Sequence, residues 1–456
     1  MQFELIRDYN RNRLSQVKLP IDVTGFAYTP FQHQLDGVEA FIKSEGRMML
    51  AWEMGSGKTA GSALIMESLK VGPTVLFSPA SLMLQHKEEF STLLTDRPVV
   101  IFKDRIEDDR ASPFPLYIVS YARTKKFRQA CKALPFNFEL AILDESTFIK
   151  NHKALRTKDI EVMVSTIPLV LMLTGTPIIN RPVDLFTQFR IANPLHPLFK
   201  DWWRFTRRFC NGRQGPFGYK ADGLSHADEL SGLASSIMHR VKKEDCLDLP
   251  DKVRTQLPVQ VKTKEYRDWQ EEIQDLGLQK AEASLPWLKD WIDTTDPREK
   301  LVIFTRHVET AQYIANSDVA RSVGVSYFTG ETPSHRRYAE IEAFQTPRNR
   351  ILVMTIGAGG VGLNLQFAST MLFVEMSFSP MEMLQAEDRI HRAGMKGGAT
   401  YHYMVAHKTY DKKLFNALTY KYAMANEVVD GIKDPDENVF AEIFKTPRGT
   451  VINQQI

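Results

Sequence analysis

One run of residues is suited to holding a polyphosphate: Ala51-Trp52-Glu53-Met54-Gly55-Ser56-Gly57-Lys58-Thr59. Gly55 and Gly57 let a backbone turn tightly and bring its N–H groups against phosphate oxygens. A helix starting just beyond adds partial positive charge at the same point. Met54 to Gly57 would line the phosphates, Lys58 would reach the β- and γ-phosphates, and Thr59 would hold Mg²⁺. The strict phosphate-loop pattern has glycine at the position occupied here by Trp52. A second motif must therefore supply the acid that holds the metal. Leu140-Ala141-Ile142-Leu143-Asp144-Glu145 is an apolar run ending in two acids. At the end of a buried strand, Asp144 can hold Mg²⁺ through water, and Glu145 can orient and deprotonate the attacking water. An acidic solvated turn would look the same in isolation. The pairing with Lys58 and Thr59 is what favours nucleotide hydrolysis.

Three further runs carry polar chemistry. Leu173-Thr174-Gly175-Thr176-Pro177 places small hydroxyls where they could bond the acids and sense the γ-phosphate, although a plain turn reads alike. Gly357-Ala358-Gly359-Gly360-Val361-Gly362-Leu363-Asn364 permits close backbone approach to a ligand. In Gln385-Ala386-Glu387-Asp388-Arg389-Ile390-His391-Arg392, helical spacing puts Gln385, Arg389 and Arg392 on one face. That face is either an ordinary charged surface or a source of an arginine finger for the γ-phosphate.

These groups need elements to position them. Apolar runs at Thr74 to Ser78, Leu116 to Ser120, Leu140 to Leu143 and Leu169 to Leu173 alternate with helix-compatible segments, which predicts a parallel α/β sheet. Residues 195–250, with Trp202, Trp203, Arg204, Arg207, Arg208 and Arg213, break that rhythm and read as an insertion or helical bridge. The rhythm restarts with strands expected at Leu301 to Thr305, Val323 to Thr329, Ile351 to Ile356, Met371 to Glu375 and Tyr401 to Ala406. The expected organisation is a lead-in over 1–27, a first lobe over 28–250, a second lobe over 251–433 and a tail over 434–456.

The 456 residues suffice for two or three domains, and 43% hydrophobic with 25% charged residues is globular composition. A net charge of +3 means that any nucleic-acid surface must be locally basic. Cys131, Cys210 and Cys246 lie far apart, without metal-ligand spacing, and read as free thiols in a reducing compartment. No apolar run approaches the ~18 residues of a membrane span, and Met1 to Arg13 lacks the apolar core of a signal peptide. The expectation is an intracellular protein, cytoplasmic if bacterial or phage-encoded, with no membrane partner.

In this order the motifs resemble those of superfamily-two helicases of the Swi/Snf type, over about Thr29 to Val429. Ala51 to Thr59 is similar to motif I, usually A-D-E-M-G-x-G-K-T. Thr29 to Gln34 resembles the adenine-reading Q motif, which implies Gln34 as base reader. Phe77 to Leu82 resembles motif Ia, Ser120-Tyr121 motif Ib, and Asp144 to Asn151 the D-E-A-H-x-x-K-N of motif II. Leu173 to Pro177 matches motif III and Val302 to Thr305 motif IV. Gly330-Glu331-Thr332 with Arg336 or Arg337 resembles the family's G-x-T-x-x-x-x-R. Gly357 to Leu365 matches motif V, with Gly362 near the nucleotide, and Gln385 to Gly394 matches motif VI. Three departures stand out: Trp52 for Asp, Ser146-Thr147 for Ala-His, and Met395 for the glutamine after Ala-Gly. The motif II histidine normally couples ATP state to motif III, so another route is needed here. Phe205 to Lys252 looks most like the HepA-related annealing-helicase branch.

The resemblance implies two RecA-like α/β lobes with ATP and Mg²⁺ in the cleft between them. It implies a monomeric DNA-dependent ATPase that moves along duplex or branched DNA largely without reading sequence. Lys58, Asp144, Glu145, Gln385, Arg389 and Arg392 would be catalytic. Ser81, Ser120, Gly330, Thr332 and Arg336 would grip the DNA backbone. An RNA helicase of the same superfamily and a non-hydrolysing nucleic-acid scaffold are the rival readings; the form of motif VI disfavours the first and the intact hydrolytic residues the second.

Overall fold

Short runs of β-branched and other apolar residues, bounded by glycine, proline and polar positions, become strands buried on both faces. Helices then cover both faces of each sheet. The computed structural model describes residues 2–24, 26–94, 96–104, 114–262, 264–359, 363–392, 394–395, 397–433 and 438–445. The chain divides into two units, Met1–Leu247 with Met424–Ile432, and Asp248–Ala423 with Lys433–Ile456.

In the first unit the strands are Arg47–Trp52 (β1), Thr74–Ser78 (β2), Val99–Ile101 (β3), Leu116–Ser120 (β4), Leu140–Asp144 (β5), Leu169–Leu173 (β6) and Met238–Val241 (β9). They form a seven-stranded sheet in the order β3-β4-β2-β5-β6-β1-β9, parallel throughout. Arg213–Gly215 (β7) and Gly218–Lys220 (β8) pair only with each other, antiparallel. β2, β4, β5 and β6 are buried at every residue, which is why they read as continuous apolar runs.

One part of the sequence reading needs correction here. Residues 195–250 do not stay outside the sheet, because Met238–Val241 is its edge strand, pairing with Met49–Trp52. An edge strand has one neighbour, so Met-His-Arg-Val tolerates polar side chains and hides the strand pattern.

The second unit holds Lys252–Val259 (β10), Leu301–Thr305 (β11), Val325–Phe328 (β12), Ile351–Thr355 (β13), Thr370–Phe373 (β14) and Ala399–Ala406 (β15). Their order is β10-β15-β14-β11-β13-β12, again all parallel. Its core packs Phe304, Phe373, Tyr401 and Tyr403 against Met383 and Ile390 on one face of the sheet. Among the described residues no helix is long and apolar enough to cross a membrane.

Candidate active site

Three strand ends build the site in the first unit. β5, β6 and β1 are neighbours, so their C-terminal ends lie about 5 Å apart each. β5 delivers Asp144 and Glu145, β6 delivers Thr174 to Pro177, and β1 delivers the phosphate loop. In open parallel sheets ligands bind beyond such C-terminal ends. The contact is tight: a Cβ added at Gly175 would lie 3.2 Å from the Trp52 carbonyl oxygen and 3.3 Å from the Met54 nitrogen. Glycine at 175 is what lets the β6 turn close against the phosphate loop.

The loop is shaped by Gly55 at φ +84° and Gly57 at φ +81°, both in the left-handed region. Helix Lys58–Ser68 begins directly after Gly57. Ser56 Oγ donates to the Glu53 carbonyl at 2.7 Å, and Lys58 Nζ to the carbonyls of Trp52 and Glu53 at 3.0 and 3.2 Å. Thr59 sits in the first helical turn, half-buried. Gln34 is 1% exposed and braces this loop. Its amide oxygen accepts from the Phe31 N–H at 3.0 Å, and its amide nitrogen donates to the Gly57 carbonyl at 3.2 Å. The His33 Nε2 lies 2.8 Å from the Ser56 carbonyl oxygen.

Trp52 shows how the loop does without the usual residue. The indole is fully buried beneath the loop, with Nε1 donating to His239 Nδ1 at 2.9 Å and the His33 ring edge-on at 5.0 Å. Burial lowers the pKa of His239, which keeps Nδ1 an acceptor. Two glycines on flanking helices make room: a Cβ at Gly37 would lie 2.6 Å from the indole, and one at Gly61 2.5 Å.

The acids are held from several sides. His86 Nε2 is 2.9 Å from Asp144 Oδ2, and the Tyr121 hydroxyl donates to the Asp144 carbonyl at 2.7 Å. Burial works against protonation of His86, but the hydrogen bond and charge of Asp144, with Glu89 and Glu145, outweigh it and raise its pKa. Glu145 stands at φ +48°, a conformation uncommon outside glycine, and it turns the chain sharply after the strand.

Ser146, where the family usually has alanine, supplies a link of its own. Its Oγ donates to Gln188 Oε1 at 2.7 Å, and Gln188 Nε2 donates to the Pro177 carbonyl at 3.0 Å. Motif II is thus tied to motif III through two buried hydrogen bonds. Sequence reasoning missed both His86 and Gln188, since neither falls in a motif and each is distant in sequence from its partner.

β9 adds residues the motif reading also overlooked. Arg240 donates to the carbonyls of Ala51 at 3.0 Å and Gly175 at 3.3 Å, to Glu53 at 2.9 Å and to Asp430 at 2.7 Å. Burial disfavours its charge, but Asp430 and Glu53 outweigh that and raise its pKa. The Lys243 N–H bonds the Glu53 carboxylate at 3.0 Å. A strand reading of Met238–Val241 would have put Arg240 beside Ala51.

Of the residues expected at DNA, Ser81 lies half-buried in the turn Ala80–Leu82 after β2, and Ser120 is buried at the end of β4. In the second unit, Thr332 Oγ1 accepts from the Thr329 N–H at 3.0 Å, while Arg337 donates to the carbonyls of Thr332 at 2.7 Å and Gly330 at 2.6 Å. Arg337 therefore clamps the Gly330 turn, and Arg336 is the exposed member of the pair.

Gly357 and Gly359 follow β13 in a short helical turn, Ile356–Gly359; Gly362 lies outside the described residues. The helix expected through Arg392 ends at Glu387, so Gln385, Arg389 and Arg392 do not share a continuous helical face. Past Glu387 the Arg389 and Ile390 N–H groups bond carbonyls three residues back, and the buried Glu387 carboxylate accepts from Arg254 at 2.6 Å and the Tyr403 hydroxyl at 2.6 Å. Arg389 is buried and Arg392 half-buried, its Nε donating to the Asp388 carbonyl at 2.9 Å.

A phosphate loop and an acid pair on one parallel α/β unit, followed by a second such unit, define a helicase-like two-unit class. The chain belongs to the SNF2-related family: the SNF2-related domain matches residues 33–293, and the helicase conserved C-terminal domain matches residues 283–394. It is 32% identical over 436 residues to the SWI/SNF-related matrix-associated actin-dependent regulator of chromatin subfamily A-like protein 1 homolog of Caenorhabditis elegans, covering 87% of this chain and 61% of that protein. It is 28% identical over 441 residues to the DNA annealing helicase and endonuclease ZRANB3 of Bos taurus, covering 89% of this chain and 41% of that protein. The chain spans about half the length of such relatives. Among solved structures it is similar to the Sulfolobus solfataricus SWI2/SNF2 ATPase core in complex with dsDNA, at 20% identity and TM-score 0.44, over 96% of this chain and 100% of that one.

Proposed function

We propose that this chain is a DNA-dependent ATPase that couples hydrolysis to movement on double-stranded or branched DNA. The observation that supports it most is the convergence of the phosphate loop, Asp144–Glu145 and Thr174–Pro177 on three adjacent strand ends. Family membership, and the DNA annealing helicase in a relative's name, support DNA as the track.

In this reading the loop N–H groups and Lys58 hold the phosphates, with Nζ leaving the Trp52 and Glu53 carbonyls to do so. Glu145 orients the attacking water and takes its proton. One hydroxyl, Thr59, and one carboxylate, Asp144, suit Mg²⁺, which completes its shell with water and substrate phosphates. Among the described residues no group of three or more His, Cys, Asp or Glu is gathered to hold another metal. Mg²⁺ would neutralise charge on the phosphate oxygens. Gln34 would act by bracing Gly57, in addition to any contact with the base. Ser81, Gly330, Thr332 and Arg336 would grip phosphates, whereas Ser120, expected among them, is buried; DNA affinity should fall steeply with salt.

The test is ATPase rate with no nucleic acid, single strands, duplex, forks and RNA side by side, together with displacement of a third strand from a triplex. Stimulation by duplex or fork DNA with triplex displacement is expected. Stronger stimulation by RNA, or unwinding of a tailed duplex without triplex displacement, would overturn the reading. Glu145→Gln should keep ATP binding and lose roughly 10²-fold or more in turnover; near-normal turnover would remove Glu145 from its role.

A further inference from the structure

The β7–β8 hairpin ends in Pro216-Phe217, and Phe217 is 97% exposed. At that exposure the phenyl ring contributes nothing to a core. The tip is nevertheless firmly mounted. Tyr219 on β8 packs edge-on against Trp203 at 4.6 Å and lies 5.5 Å from Trp202, and its hydroxyl bonds Thr206 Oγ1 at 2.9 Å. At Gly212, just before β7, a Cβ would run into that hydroxyl and the Thr206 carbonyl, so the hairpin base sits directly on helix Trp202–Phe209. Trp202 in turn stacks on His152 at 5.0 Å. His152 directly follows the Asp144 to Asn151 run, so the mount rests on the segment just after it.

The surroundings are basic. Arg213 and Lys220 pair at the base of the hairpin, two residue pairs back from the Gly215–Gly218 pair beside the tip, and both are exposed, as are Arg204 and Arg207 on the supporting helix. The nearby acids are Asp201 and Asp222, 3.7 Å from Arg204 and 3.8 Å from Arg213. An exposed aromatic ring at the end of a hairpin with a basic base matches an unpaired or unstacked base with its phosphates: the ring stacks on the base, and the cations take the backbone further along. A fully paired duplex hides its base faces and offers such a ring nothing. A branch point, where pairing ends, offers one.

We propose that the Arg213–Lys220 hairpin is a DNA branch-point contact, with Phe217 stacking on the first unpaired base at a fork and Arg213 and Lys220 on phosphates further along. This deepens the function proposed above and rests on it only for DNA being the polymer bound.

The test uses the full chain, wild type and Phe217→Ala, Phe217→Trp and Arg213→Ala, with a model fork and a blunt duplex of equal length. 2-Aminopurine placed at the fork's branch point reports stacking without any hydrolysis. Wild type should change its fluorescence. Phe217→Ala should lose that change and roughly ten-fold of fork affinity, with blunt-duplex affinity and duplex-stimulated ATPase unaltered. Phe217→Trp should restore the signal, and Arg213→Ala should weaken fork binding while flattening its salt dependence. Unchanged fork affinity and 2-aminopurine signal in Phe217→Ala would overturn the proposal and give the tip to a protein partner. An equal loss on fork and duplex would overturn it too, making Phe217 a general DNA contact. A wild type that binds forks through Phe217 without DNA-stimulated ATPase would sink the translocase reading and leave this contact standing.

Discussion

The tight turn before helix Lys58–Ser68 was legible because its shape is set within a few residues, by Gly55 and Gly57 in the left-handed region. What lies beneath it was not. Trp52 reads as a defect in a pattern, and only the fold shows Gly37 and Gly61 standing back from the indole with His239 accepting its N–H. Those partners come from a preceding helix, a following helix and a strand far along the chain. Trp52→Asp, which would restore the residue usual in the family, should therefore destabilise this protein. It leaves a cavity between two glycines and buries a carboxylate beside a neutral histidine, for a loss of about 4 kcal/mol. Denaturant unfolding measures it; stability within about 1 kcal/mol of wild type would show that the site relaxes around the change. Gln34 carries a related lesson, since motif reading assigned it to the base and the fold shows its amide braced between Phe31 and Gly57.

Among the elements, the doubly buried strands were readable as apolar runs, whereas β3, β7, β8, β9 and β10 were not. Lys252–Val259 and Met238–Val241 mix charge with apolar residues because each strand has one hydrogen-bonded neighbour and a free side. The helix expected through Arg392 ends at Glu387, where bonding tightens to carbonyls three residues back, a change that spacing alone does not reveal. Glu387 is fully buried with Arg254 and Lys252. Burial alone would raise its pKa, but those cations and the Tyr403 hydroxyl outweigh it and lower it. A depressed carboxyl contributes stability that is complete above its unfolded pKa of about 4.3 and is lost as pH falls through the lower folded value. Glu387→Gln should cost about 3 kcal/mol at pH 7 and less at pH 3 than at pH 7, as read by urea titrations at the two values. A cost that does not shrink on acidification would assign the effect to packing alone. A second element-level link joins β5 to β6 through Ser146 and Gln188. Ser146→Ala and Gln188→Leu should each lower DNA-stimulated kcat several-fold while moving the KM for ATP little. The double variant should be no worse than the poorer single one, because both break one chain of bonds. Independent, multiplying losses would mean that the two side chains do not act as a relay.

At the scale of the whole molecule, a role for Arg392 in hydrolysis is a proposal that its substitution tests. Arg392→Ala should spare ATP affinity and lower kcat roughly 10³-fold, as expected for a group that meets charge only in the transition state; affinity lost in step with rate would make it a ground-state contact. That two parallel α/β units follow one another was plain from the repeated strand rhythm. That the first of them is completed by Met424–Ile432 was invisible, because Met424–Val429 is the last part of helix Tyr410–Val429, whose start belongs to the second unit. Arg240, which ties Ala51, Gly175 and Glu53 together, takes its closest carboxylate from Asp430. The first unit is therefore not a contiguous stretch of gene. A fragment stopped after Leu247 would keep Gly55 to Thr59 and the Asp144–Glu145 pair, yet leave Arg240 with Glu53 as its remaining carboxylate. No single cut in the coding sequence separates two complete halves, and a nonsense mutation as late as codon 423 would already reach back to the loop that opens the chain's chemistry.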